Sequence, residues 1–457
     1  MGSNSNLTRS DSSTRRIKLA PMTRAVRSVL AASALTLALG ATSGTAAAAA
    51  HKVSAAHVLQ LQRAAIDFAP VHDPSLIAGG GAGAPVMSLT PGGGVGNVVG
   101  NVTSTVGTIV HIYSNTDDTA AYYVNATGNV DLTNTGHQHA GSGGAYDATG
   151  ILVYAGGTAT VENSYDAFAY ASGDGNAMGI GVAGYAGASV DNSGTITAAS
   201  LNGSATGVRA MAAGTVTVTN SGATGIYAQA YDNAFGVLAY GQAGVTVDSS
   251  ANIYAISTGL AGSSAIGVIA ASLADVNINN SSYIYAYSNS GSAFGIYANA
   301  VGGGNATVTN SGGIVAIAPT AGHLADGVFA YGYNATVTNT ATGTIDVYGY
   351  DSGIGIDVEA VNTATVDNAG AINATAYNIA MGVYATGNAV GVNNSGVIYA
   401  GSNTGYSKYA YGISAVATNG DVAVTNAASG QIVVASIRAT ASMRTASMRR
   451  APMVMWR

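Results

Sequence analysis

Ala306-Thr-Val-Thr-Asn-Ser-Gly312 is the stretch whose reading decides the fold. Ala306 and Val308 alternate with Thr307 and Thr309, the period-2 pattern of a strand with one buried face. An asparagine and a Ser-Gly turn follow. The same heptad recurs down the chain. Its asparagine position falls at Asn134, Asn163, Asn192, Asn220, Ser249, Asn280, Asn310, Asn339, Asn368, Asn394 and Asn426. Successive occurrences lie 26 to 32 residues apart, most often 29. Self-similarity at this period is the mark of a solenoid, in which each repeat is one supersecondary unit that buries its apolar face only by stacking on its neighbours.

Set out in columns, the repeat resolves into three short strands. Two residues before the asparagine position stands Leu, Val or Ile in every unit, four before it Val or Ala, and one before it a polar residue. A second motif, Gly followed by Ile or Val, places Ile151, Ile180, Val208, Val237, Val268, Ile296, Val328, Ile356, Val383 and Ile413 at one buried position. A third strand follows the turn, as in Ile196-Thr-Ala198 and Ile253-Tyr-Ala255. Three strands and three turns in about 29 residues predict an all-β chain, a right-handed parallel β-helix of about eleven coils spaced by about 4.8 Å. In that geometry identical residues stack. The asparagines form a ladder in which each amide donates to one neighbour and accepts from the other, and asparagine suits a left-handed backbone at the coil corner.

Composition agrees with a narrow core. Gly accounts for 63 residues, only 8% of residues are charged, and 26 Tyr stand against 5 Phe and 1 Trp. Between residues 100 and 430 there are eighteen acids and two bases, Arg209 and Lys408. Without a basic footprint the chain is not expected to bind nucleic acid. There is no cysteine, which excludes disulfides, thiolate zinc sites and thiol catalysis.

Outside the repeat, residues 1–50 read as a secretory signal: Arg15, Arg16, Lys18, Arg24 and Arg27 precede the apolar run Val29–Leu39 and the small residues Ala46–Ala50, with Met22 a possible true start. Residues 51–100 read as a leader, helical over 53–69, where it could cap the first coil, then glycine-rich and flexible over 78–100. The β-helix is expected over 101–435. The segment 436–457 carries five arginines and no acid and reads as an aberrant basic tail, from a frameshift or truncation or as a genuine tail.

The run of G-V/I-x-A, V-T-V-x-N-S-G and x-I-x-A coils behind a secretory signal resembles the passenger domain of bacterial autotransporters, the type V secretion proteins, over about residues 101–435. The resemblance implies export to the periplasm of a Gram-negative bacterium, passage through a C-terminal outer-membrane β-barrel, and folding at the cell surface. No run of alternating, aromatic-flanked strands follows Asn426, so the barrel is expected to come from elsewhere or to have been lost. In the latter case the chain stays in the periplasm. The implied role is adhesion to a host or neighbouring-cell surface, or self-association. The alternatives are a polysaccharide-active β-helical enzyme and a passive stalk or truncated remnant.

Several candidate sites can be weighed on the residues. Asn115-Thr116-Asp117-Asp118 resembles a fragment of a polygalacturonase-type site, but no basic partner lies nearby, and no catalytic residues or cofactor are expected. His137-Gln138-His139 puts two imidazoles on one side of an extended segment; with no third ligand adjacent in sequence, no metal is expected. Thr-Val-Thr rungs form a threonine array, interrupted by Glu162, Asp191, Asp248 and Asp367. The residue after Gly-Ile or Gly-Val varies freely and falls on the outward side of the first strand. Leu152, Leu238, Ile269, Tyr297, Phe329 and Tyr384 in that column are the expected surface-contact residues.

Overall fold

The computed structural model describes residues 89–259, 262–401 and 409–435. The expected secretory signal, the helix over 53–69 and the basic tail lie outside them. Each coil carries three strands, exemplified by Ala234–Gly241, Gly244–Ser249 and Ile253–Ser257. Each pairs in parallel with its counterparts one coil before and one coil after. The molecule is thus an all-β parallel solenoid. The third strands form one sheet of twelve, which is eleven steps of about 4.8 Å, or about 50 Å. The first and second sheets join where single strands, Leu324–Asn339 and Ser352–Asn368, run through both. The solenoid begins earlier than the repeat pattern indicates. Leu89–Val98 lies in the glycine-rich stretch read as a connection, yet it is a strand in register with Asp118–Ala126.

The core follows the columns. Val245 and Val247 of the second strand, Ile253 and Ala255 of the third, and Val237 and Ala239 of the first are buried in one continuous cluster, with their equivalents from the other coils. The glycine of the Gly-Val motif leaves room for that isoleucine. A Cβ on Gly236 would collide with Ile253 Cγ2 and with the carbonyl of Gly267. The interior is narrow because one side of each coil contributes no side chain where the other contributes its largest.

The asparagine ladder is present and has one direction. Asn134 Nδ2 donates to Asn163 Oδ1 at 2.7 Å, and Asn163 to Asn192 and Asn280 to Asn310 at 2.7 and 2.8 Å. The ladder runs on through Asn339, Asn368, Asn394 and Asn426. The second amide hydrogen goes to the turn carbonyl, as from Asn310 to Gly312 at 3.1 Å. At Ser249 the hydroxyl takes over: it accepts from Asn220 at 3.1 Å and donates to Ala251 at 2.8 Å. The left-handed corner is not found, since no non-glycine residue among the described ones has positive φ. Asparagine is there for its hydrogen bonds. Nor does Gly312 adopt a positive φ; it is required because a Cβ would strike the Ser282 carbonyl one coil below.

Asn310→Ala removes two buried ladder bonds and takes the ladder partner from one amide hydrogen of Asn280 and from the side-chain carbonyl of Asn339. It is expected to destabilise the solenoid by about 1–3 kcal/mol. Asn310→Ser, which copies Ser249, is expected to recover part of that loss. Urea unfolding midpoints of the two variants check both.

Candidate functional site

The outward column of the first sheet is not a surface. Leu152, Leu238, Ile269, Tyr297, Phe329 and Tyr384 are all buried, Phe329 to 1% exposure and Tyr384 to 9%. They do not belong to the main core. Leu238, Ile269, Tyr297 and Phe329 form a second cluster with Phe235, Ile266, Phe294 and Leu324. The cause is the glycine. Gly236 and Val237 both face the interior, so strict alternation fails there. The two outward rows that flank this break, Phe235 and Leu238 in this coil, close on each other. Within one coil the Phe294 ring stands edge-on to Tyr297 at 5.9 Å, and coil stacking completes the cover, with Tyr297 on Phe329 at 4.8 Å. The expectation that these six residues contact a partner is corrected accordingly.

The same rows turn acidic further along. Asp326 replaces the aromatic of Phe294, and Asp357 follows Phe329 in register. Both acids are buried to about 1% exposure or less. Neither oxygen of Asp326, nor Oδ1 of Asp357, has a hydrogen-bond partner. Burial raises the pKa of each carboxyl well above the ordinary range, and Glu359 raises both further. The Tyr297 hydroxyl is pushed up as well, first by burial and then by Glu359. Burial at these ladder positions thus favours the neutral carboxyl.

The open aromatic surface lies on the third sheet. Tyr227, Tyr254 and Tyr285 share one outward row, with Val315 next. Ile256, Tyr287, Ile317 and Tyr348 share the adjacent row. All are half-buried except Tyr227, which is exposed. The Tyr227 and Tyr254 rings stack 4.8 Å apart at 7°, and Tyr283 fills in beside Tyr285 at 6.2 Å. The third strand keeps strict alternation of buried and outward residues, so its outward rows stay on one open face. The alternation in Ile253-Tyr-Ala255 is the sequence signal that places Tyr254 on the outward face.

The two smaller motifs resolve differently. Asp118 Oδ1 accepts the Asp147 backbone amide at 2.8 Å, and Asp147 Oδ1 in turn accepts that of Asn176 at 2.7 Å. This is a capping ladder at a coil corner, a structural use of the Asp117-Asp118 motif. The His137–His139 pair gains a neighbour from the next coil: ligand atoms of His137, His139 and Asp166 all lie within 4.8 Å of one another. Twenty-nine residues separate His137 from Asp166, one repeat length, so the period itself was the signal that locates the third group. An open hollow of about 230 Å³ on the second sheet is lined by Thr338, Asp367, Asn393 and Thr425 among others, with Asp367 its one carboxylate. No family model, curated protein or solved structure matches the chain.

Two outcomes test this geometry. Phe329→Glu places a charge in a sealed apolar cluster and should lower stability by several kcal/mol, whereas Thr309→Glu on the half-buried outer row of the second sheet should change it by about 0.5 kcal/mol or less. Asp326 and Asp357 bind protons more tightly folded than unfolded, so their contribution to stability is full below about pH 4 and is lost as pH rises through the raised values. Between about pH 5 and 8 the urea midpoint of the native chain should therefore fall as pH rises. Asp326→Asn with Asp357→Asn should flatten that slope.

Proposed function

We propose that this β-helix is the passenger of an exported, autotransporter-like surface protein that acts by contact, in adhesion or self-association, through the third sheet. The observation that carries the reading is the double row of Tyr227, Tyr254, Tyr285, Ile256, Tyr287 and Ile317, apolar in body and phenolic at the rim, held at coil spacing on the outward side of the third sheet. Tyrosine gives large contact area at low entropic cost and keeps a hydroxyl for a polar partner. A contiguous half-exposed patch of this kind marks an interaction surface. The basic n-region and apolar run before Ala50 support export, as does the lack of cysteine, since disulfides would hinder threading through a pore. The capping role of Asp118 favours contact over polysaccharide cleavage.

Tyr254→Glu with Tyr285→Glu should reduce clumping of cells that display the chain, and their attachment to a surface, by at least about tenfold, with the thermal midpoint nearly unchanged. Thr309→Glu serves as the control on the second sheet. Clumping and attachment at the native level in the double variant would refute the reading.

A further inference from the structure

We infer that His137, His139 and Asp166 form a binding site for a divalent transition-metal ion, of which zinc is the representative. The three side chains come from two adjacent coils. His137 and His139 stand two residues apart on one face of an extended segment. Asp166 opens the next third strand, at the height of His137, because Gln138 pairs with Ala167 and His139 with Phe168. The carbonyl of His137 accepts the amide of Val110 at 2.8 Å, and the inward Gln138 anchors to the Thr108 carbonyl at 3.0 Å. The two imidazoles therefore rise from backbone fixed on both sides.

The contact between His137 Nδ1 and Asp166 Oδ2 is the telling one. The two atoms are 2.8 Å apart, yet Nδ1 has no hydrogen bond of acceptable geometry. An ion pair would align the N–H with the carboxylate. Two ligand atoms that face a common third point need not, and tetrahedral zinc with bonds of about 2.0–2.1 Å sets its ligand atoms roughly 3.3 Å apart. All three ligand atoms already lie within 4.8 Å of one another, so small side-chain rotations close the set.

The surroundings favour ligation. His111 stands edge-on to His139 with ring centres 4.6 Å apart, Tyr165 edge-on to His137 at 4.4 Å, and Phe168 lies 5.2 Å from His139. These rings limit how far the imidazoles can turn. Two imidazoles and one carboxylate select zinc, nickel, copper or iron over calcium or magnesium, which take all-oxygen shells. Three protein ligands leave a position for water or for a donor from outside the site.

Calorimetric titration of the untagged full chain with zinc chloride tests the site, with cobalt(II) visible absorption as a second readout. The expected result is one equivalent of zinc lost, or its affinity reduced by at least about tenfold, in both Asp166→Asn and the pair His137→Ala with His139→Ala. His323→Ala should bind as the native chain does. Circular dichroism confirms that these surface variants keep their strand signal. Zinc stoichiometry and affinity unchanged in the double histidine variant, no zinc heat with the native chain, or a preference for calcium would each overturn the assignment.

Discussion

Coil-to-coil stacking is the constraint on which everything else in this molecule depends. Each strand between the terminal coils hydrogen-bonds to the coil before and the coil after, so each side chain sits about 4.8 Å from its counterpart one repeat away. A column is therefore tolerated only if its residue suits a copy of itself. Asparagine is self-complementary, because its amide donates to one neighbour and accepts from the other, as from Asn280 through Asn310 to Asn339. Tyrosine stacks on tyrosine, as Tyr227 does on Tyr254. Valine packs on valine, and glycine lets backbones approach where any Cβ would collide, as at Gly312.

Departures from self-complementarity are where chemistry other than scaffolding collects. Two carboxyls in the buried rows, Asp326 and Asp357, do not suit each other as anions, and the structure keeps them in a pocket where burial favours the neutral form. His137 over Asp166 is the opposite case, since unlike neighbours in one column bring a ring nitrogen and a carboxylate oxygen to 2.8 Å. Both departures sit on the first or third strand. The second strand, with its asparagine ladder, varies least and carries the least chemistry.

Much of this was legible in the amino-acid sequence, for a physical reason. The alternation of Ala306, Thr307, Val308 and Thr309 records which face each residue occupies, and the repeat length records the stacking. The order of three strands, the core columns and the direction-neutral fact of an asparagine ladder all follow from those two records. The break in alternation at the first-strand glycine does not. Alternation assigns Leu238 to the outside correctly, but only the observation that Gly236 and Val237 both point inward shows that this outside is folded shut. Likewise, asparagine at a corner admits two explanations, backbone tolerance or hydrogen bonding, and only the φ angles separate them. The third metal-ligand candidate was hidden in a different way, one full repeat downstream of the histidines and visible once the period is used as a ruler.

The first sheet, where Gly and Val both face inward, closes its outward rows, while the third sheet, which keeps strict alternation, leaves its rows open. The chain has no cysteine, so single cysteines report on this directly. Leu238→Cys and Ile269→Cys on the first sheet, and Tyr254→Cys and Ile256→Cys on the third, can each be timed against a maleimide under native conditions. The account predicts reaction at least about a hundredfold slower at the first pair than at the second, a gap that urea abolishes. Equal native rates at the two sheets would contradict it.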